Sequence, residues 1–195
     1  MNSILSSPHK LAGNPSNDPK FAVSLKFKGQ QVVQAACPKA SRAMISLMDM
    51  NAVIGGAASH YGGPAAFAEI ISALHAYVFT VSKQKGKHWY ELFNIINDAG
   101  HCENGLYALK ANYGFADLTL EKLKGFRAIN SVLTGHGESH LFPECVFLSN
   151  GPLGSAFPQS QGLAMADALI GKEPKFEHLK KRVTITTISD GACME

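Results

Sequence analysis

The chain has 195 residues, 46% of them hydrophobic and 17% charged, with a formal net charge of +3. That length suits one domain with a sizeable core, and the composition is that of a soluble globular protein rather than a disordered one. The small charge, with no basic run interleaved with aromatics, argues against nucleic acid as a partner, and no apolar run is long enough to cross a membrane.

Residues 1–20 are rich in Ser, Asn and Pro. They predict a mobile tail, or an arm that orders on a partner, and they lack the basic-then-apolar plan of a signal peptide. Phe21, Val23, Leu25 and Phe27 alternate, as in a short strand or extended arm. Residues 35–54 predict a helix interrupted at Pro38, with Ala43, Met44, Leu47, Met48 and Ala52 near helical spacing. Gly55 to Pro64 is a glycine-rich loop. Pro64 suits the first turn of a helix running to about Val81, with Phe67, Ile70, Ile71, Leu74, Val78 and Val81 on one face. His75 within it reads as an ordinary packed or partly exposed residue.

Residues 92–96 predict a short strand and 103–112 a helix stopped by Gly114. Thr119 is placed to cap a helix over 119–124, with Glu121 in its first turn. Residues 125–155 read as loop, a length that marks a functional surface. A helix over 159–170 ends at Gly171 and Pro174. The β-branched run Val183 to Ile188 predicts a strand buried on both faces. No internal repeat is present. Strand, helices and a returning strand predict an α/β fold, a parallel sheet flanked by helices.

Four separated cysteines (Cys37, Cys102, Cys145, Cys193) contain no Cys-x-x-Cys pair and read as reduced thiols of a cytoplasmic protein. Chemistry concentrates elsewhere. Asp190-Gly191 directly follows the last strand, at the carboxyl edge where open α/β sheets bind ligands. Glycine admits close backbone approach there, and a carboxylate is a hard oxygen ligand suited to phosphate-bound magnesium. Three histidines sit in glycine-bearing loops: Ser59-His60-Tyr-Gly-Gly, Ala99-Gly100-His101 and Thr134-Gly135-His136-Gly137. Such positions suit a side chain displayed at a ligand more than one packed in a core.

These segments, in this order, resemble the N-terminal, thiamine-diphosphate-binding domain of the transketolase family. Gly55–Phe79 resembles the family's start, where Gly-His-Pro-Gly leads into a helix. Phe93–Ala111 resembles the strand, Gly-His and Leu-Tyr-x-Leu helix. Leu118–Glu138 resembles Leu-x-x-Phe-Arg followed by Pro-Gly-His-Pro-Glu. Gly151-Pro-Leu-Gly resembles Gly-Pro-Leu-Gly-Gln-Gly. Asp190-Gly191-x-x-x-Glu195 resembles the opening of the thiamine-diphosphate motif, with Ser189 where glycine is usual. The second glycine and the Asn of that motif are not reached by residue 195, so a partial domain over 41–195 is expected, behind an unassigned arm over 1–40.

The resemblance implies thiamine diphosphate and Mg2+ as cofactors, sugar phosphates as substrates, and transfer of a two-carbon ketol unit. It implies a homodimer or a separate pyrimidine-binding domain as partner, since the glutamate that activates the aminopyrimidine has no match here. Isolated, the chain is expected to be inactive. His60 and His136 match histidines of the substrate channel, and Gly100 with His101 the pair at the diphosphate and reacting carbon. Gly151 and Leu153 match the segment that meets the aminopyrimidine. Asp190 matches the metal ligand, Gly191 a diphosphate contact, and Glu195 the acid linking two active sites. Gly137 stands where the family has Pro, Cys102 where it has Gly, and Phe157-Pro158 where its helix begins. Open alternatives are a non-catalytic remnant, the first component of a homodimeric 2-oxo-acid dehydrogenase, and a zinc protein using His136, His140 and Cys145.

Overall fold

The computed structural model describes residues 10–27 and 32–195. An antiparallel hairpin, β1 (Ala22–Lys26) and β2 (Val32–Ala36), opens it. Helices α1 (Pro38–Ile54), α2 (Gly62–Ala66), α3 (Ala68–Gln84) and the single turn α4 (Trp89–Leu92) lead into β3 (Phe93–Asn97). Then come α5 (Glu103–Asn112), α6 (Leu120–Leu123), a long non-helical segment, α7 (Ala156–Ile170) and β4 (Val183–Thr187). β4 pairs parallel with β3, Phe93 opposite Val183 and Asn97 opposite Thr187, so both strands end level on one edge. α1, α3 and α5 enclose the core around Ile45, Met48, Ile71, Val78, Tyr107 and Leu109.

Several expectations are revised by tertiary context. The predicted helix over 35–54 starts only at Pro38, because Ala35 and Ala36 finish β2. Cys37 N–H extends that ladder to the carbonyl of Phe21 at 2.8 Å, and Pro38, with no N–H to satisfy, opens the helix instead of interrupting it. The expected tail is docked over its described part. Leu11 is buried, Ala12 N–H donates to Glu144 O at 2.9 Å, and Trp89 Nε1 donates to Ala12 O at 2.8 Å. Residues 1–9 of that tail lie outside the described residues.

The helix expected from Pro64 to Val81 is two helices meeting at Phe67. The Phe67 ring lies against Gly105 of α5, where a Cβ would stand 2.6 Å from it. Ile71 and Val78 face the core as predicted, whereas Ile70 turns outward. α7 begins at Ala156, with Pro158 third in its first turn, where a missing N–H costs nothing.

β4 is not buried on both faces. Val183 is exposed and the other four residues are half-buried. Three of the five residues are Thr, which shares the β-branched shape but carries a hydroxyl that takes polar partners. Thr184 Oγ1 accepts from Asn94 Nδ2 (3.1 Å), Thr186 Oγ1 meets Ser160 Oγ (2.7 Å), and Thr187 Oγ1 donates to Asn97 Oδ1 (3.0 Å). Thr119 does cap α6, accepting from Lys122 N–H at 3.2 Å.

His75 is buried in α3, its Nδ1–H bonded to Ile71 O at 2.8 Å. Burial first, and the Lys110 ammonium second, push its pKa down to about 4. The folded value lies below the unfolded one. The stabilisation is therefore complete above about pH 6.5 and is lost as pH falls from there towards 4, because the unfolded chain takes up the proton first. A loss of roughly 3 kcal/mol across that window is expected in denaturation at stepped pH. His75→Gln should flatten the slope; an unchanged slope would show that carboxylates, not His75, set it.

Candidate active site

The site lies at the carboxyl edge of β3 and β4. Asp98 N–H continues the ladder to Thr187 O (2.9 Å) past the last strand residue. The Asp98 side chain is fully buried. Its Oδ1 accepts from Gly154 N–H at 2.8 Å and its Oδ2 from Phe157 N–H at 2.7 Å, which pins the turn 151–154 and the first turn of α7 to the end of β3. Gly154 has φ +76, a backbone that favours glycine. Sequence reasoning passed over Asp98, although an acid at a strand end was the same signal that singled out Asp190.

Gly100 follows, in a short turn of 3-10 helix. A Cβ there would stand 2.7 Å from Asn150 Oδ1, 2.8 Å from Gly151 N and 2.8 Å from His136 Cδ2, so only glycine lets three loops close on one point. Asn150 joins them. Its Oδ1 accepts from Gly137 N–H (2.7 Å), and its Nδ2 donates to Asn97 O (3.1 Å) and to the buried Glu103 Oε2 (3.0 Å). Neither Asn150 nor Glu103 was marked by the sequence.

His101 projects from this turn. Its ring centroid lies 5.3 Å from that of His60, and His136 stands beside its neighbour Gly100. The three histidines predicted as a group are brought together. Burial, then the neighbouring His60 and His136, hold the His101 pKa below its ordinary value, which favours the neutral imidazole, a donor at one nitrogen and an acceptor at the other. Asn104 Nδ2 donates to His60 O at 2.9 Å and seats the first loop on α5. Cys102 packs under that loop, where a Cβ on Gly63 would meet its Sγ at 2.7 Å. Burial pushes the Cys102 thiol up to about 11, which makes it a packing group rather than a nucleophile.

Asp190 and Gly191 stand on the same edge. A Cβ on Gly191 would lie 3.6 Å from Leu153 Cδ1, and one on Gly154 would lie 2.9 Å from Glu195 Cβ. Gly151, at φ +148, would bring a Cβ 3.7 Å from His136 Cγ. The turn 151–154 therefore bridges the histidines on one side to the Asp190–Glu195 segment on the other. The exposed Asp190 carboxylate takes no hydrogen bond or ion pair among the described residues. A solvated, unclaimed carboxylate beside an open glycine fits magnesium carried by a diphosphate, which keeps water and phosphate oxygens as its other ligands.

The zinc alternative does not assemble. His140 points to solvent with Nδ1 3.5 Å from Glu138 Oε2, while Cys145 is buried with its thiol pushed up to about 12. Among the described residues no three His, Cys, Asp or Glu side chains stand close enough to share a metal ion.

Residues 38–195 match the family model described as transketolase, thiamine diphosphate binding domain. The chain belongs to the transketolase family. It is 32% identical over 157 residues to the transketolase of Aquifex aeolicus, covering 77% of this chain and 22% of that one. It is 32% identical over 154 residues to transketolase 2 of Escherichia coli, with the same coverages of 77% and 22%. A crystal structure of a histidine-to-phenylalanine mutant transketolase from Pichia stipitis superposes with a TM-score of 0.61 at 27% identity, covering 81% of this chain and 23% of that one. The chain thus spans about a fifth of the length of the relatives it matches. Its fold is the α/β fold of the transketolase diphosphate-binding domain, and the match favours transketolase over the 2-oxo-acid dehydrogenase alternative.

Proposed function

We propose that this chain supplies the diphosphate- and thiazolium-facing half of a thiamine-diphosphate-dependent enzyme that moves a two-carbon ketol unit between sugar phosphates. The convergence of His60, His101 and His136 beside the turn 151–154 carries this reading. Thiamine diphosphate, when bound, supplies the electron sink for the transfer; the protein supplies position and charge. Asp190 holds the magnesium, with Gly191 and Gly100 against the diphosphate. Gly151 and Leu153 meet the aminopyrimidine. Neutral His101, with His60 and His136, orients the sugar and moves a proton at its carbonyl oxygen, help worth roughly 10²–10⁴-fold.

Glu195 and the outward apolar residues Phe157, Met165 and Leu169 of α7 face a second subunit or a pyrimidine-binding domain. Unbonded thiols go with a cytoplasmic setting.

With one charged metal ligand, binding of thiamine diphosphate is expected to be weak. Calorimetry should show little heat at micromolar cofactor. At millimolar cofactor with magnesium, the amides of Gly100, His101, Gly151, Leu153 and Gly191 should shift in NMR spectra, and Asp190→Ala should abolish the magnesium dependence. Hydrogen–deuterium exchange at the thiazolium carbon should run no faster than in buffer, since no residue here matches the activating glutamate. Absence of any magnesium-dependent shift would overturn the reading in favour of a non-catalytic role. Acceleration of exchange by orders of magnitude would overturn the expected inactivity of the isolated chain.

A further inference from the structure

Glu103 opens α5 with its side chain buried, and one of its oxygens gathers the loops that carry two of the three histidines. Oε2 accepts from Asn97 Nδ2 at 2.9 Å and from Asn150 Nδ2 at 3.0 Å. Both amides therefore turn their NH2 groups to Glu103, which leaves both Oδ1 atoms to accept on the far side. Asn97 Oδ1 takes the Thr187 hydroxyl at 3.0 Å, and Asn150 Oδ1 takes Gly137 N–H at 2.7 Å. The same NH2 groups reach on to backbone, Asn97 Nδ2 to Ala99 O at 2.9 Å and Asn150 Nδ2 to Asn97 O at 3.1 Å.

Ala99 leads directly into Gly100 and His101, and Gly137 directly follows His136. One carboxyl oxygen thus reaches both histidine-bearing segments through two amides. The fit is close on each side. A Cβ on Gly137 would stand 3.1 Å from Glu103 Oε2, and one on Gly100 2.7 Å from Asn150 Oδ1. A buried polar network with shared donors and acceptors fixes a single arrangement of its members. His60 hangs on a different bond, from Asn104 Nδ2 to its carbonyl at 2.9 Å.

We propose that Glu103 is a positioning residue that fixes the spacing of His101 and His136 through Asn97 and Asn150, while His60 is seated independently. Its bearing on the ketol transfer rests on the reading above that these histidines face the sugar; the spacing itself does not. What matters in this role is the reach of the side chain to two amides, not its acidity.

The test compares Glu103→Gln with Glu103→Asp in the full chain by NMR, first without cofactor or magnesium. Gln keeps the length and offers its amide oxygen to both Asn side chains. Asp keeps the acid but withdraws it by one methylene. The Gln variant should match the unaltered chain in amide exchange at Gly137 and in the imidazole titration of His101. In the Asp variant, exchange at Gly137 should rise by about 10-fold beyond that at Tyr107 and Leu109 of α5, the effect of one lost hydrogen bond. His101 should titrate at a higher pH there, because burial and the nearby His136, which both hold its pKa down, are relaxed together. The Asn104 side-chain NH2 signals, which report the seat of His60, should stay in place in both variants. An Asp variant that matches the unaltered chain, a Gln variant disturbed as much as the Asp one, or loss of the Asn104 signals together with the others would each overturn the role. Magnesium and thiamine diphosphate are then added. The Asp–Gln contrast without any magnesium-dependent shift would keep the positioning role and lose the cofactor reading. Cofactor shifts without that contrast would do the reverse.

Discussion

Asp167→Ala is expected to destabilise the fold by about 3–5 kcal/mol, the cost of stranding a buried charge. Asp167 lies in α7 with its side chain only 7% exposed, and its partner Arg182, directly before β4, is 13% exposed. The pair is bidentate: Arg182 Nε donates to Oδ2 at 2.9 Å and Nη2 to Oδ1 at 2.6 Å. Asn94 of β3 adds a third bond, its Nδ2 donating to Oδ2 at 2.9 Å. One carboxylate thus ties α7 to both parallel strands. Removing it leaves the mostly buried Arg182 guanidinium with, among the described residues, a long contact of 3.5 Å to Tyr90 O. The paired change Asp167→Leu with Arg182→Met should recover most of the loss, since it removes both charges and fills the space with apolar atoms. Urea denaturation of the three variants measures this. A single-variant cost below about 1 kcal/mol would place the pair with solvent-screened surface bridges instead.

Asp98→Ala comes next, with an expected loss of about 3–4 kcal/mol, because two charge-assisted bonds of roughly 1.5–3 kcal/mol each disappear and two backbone N–H groups are left without acceptors. For a chain of this size each kcal/mol lowers the melting temperature by roughly 2–4 °C. The damage should be local as well as global. Amide hydrogen exchange at Gly154 and Phe157, which donate to the carboxylate, should accelerate beyond the global change. Asp98→Asn keeps one acceptor but turns an NH2 towards the other donor, so about half the loss is expected. Uniform exchange across α7 in Asp98→Ala would show that the carboxylate does not hold this turn. As the turn 151–154 bridges His136 and Gly191, the same variant should also blunt the cofactor-induced shifts at Gly151 and Leu153.

The helix over 103–112 and the Thr119 cap were legible because each is decided within a few residues, by apolar spacing, a stop glycine or an N-cap hydroxyl. The histidine group was legible for a different reason: glycine flanks report a need for close backbone approach that local structure alone does not explain. Boundaries failed where distant partners intervened. Pro38 was read as an interruption because the Phe21 carbonyl that claims Cys37 N–H was out of sight. The strand at 183–187 was read as fully buried because threonine has the shape of valine, and only the neighbours reveal whether its hydroxyl is used.

By itself the sequence determined the α/β class and the order of the glycine-bearing segments, since residue types and spacing are local properties. Only the tertiary structure decided which polar groups are spoken for. Asp98 and Asp190 each follow a strand and look alike in one dimension, yet Asp98 is consumed by two N–H donors 56 and 59 residues away while Asp190 stays exposed and, among the described residues, unclaimed. Glu103 is likewise claimed by Asn150, 47 residues on. Whether a charge is structural or available depends on desolvation and on partners brought close by folding, and neither is written in the spacing of residues along the chain.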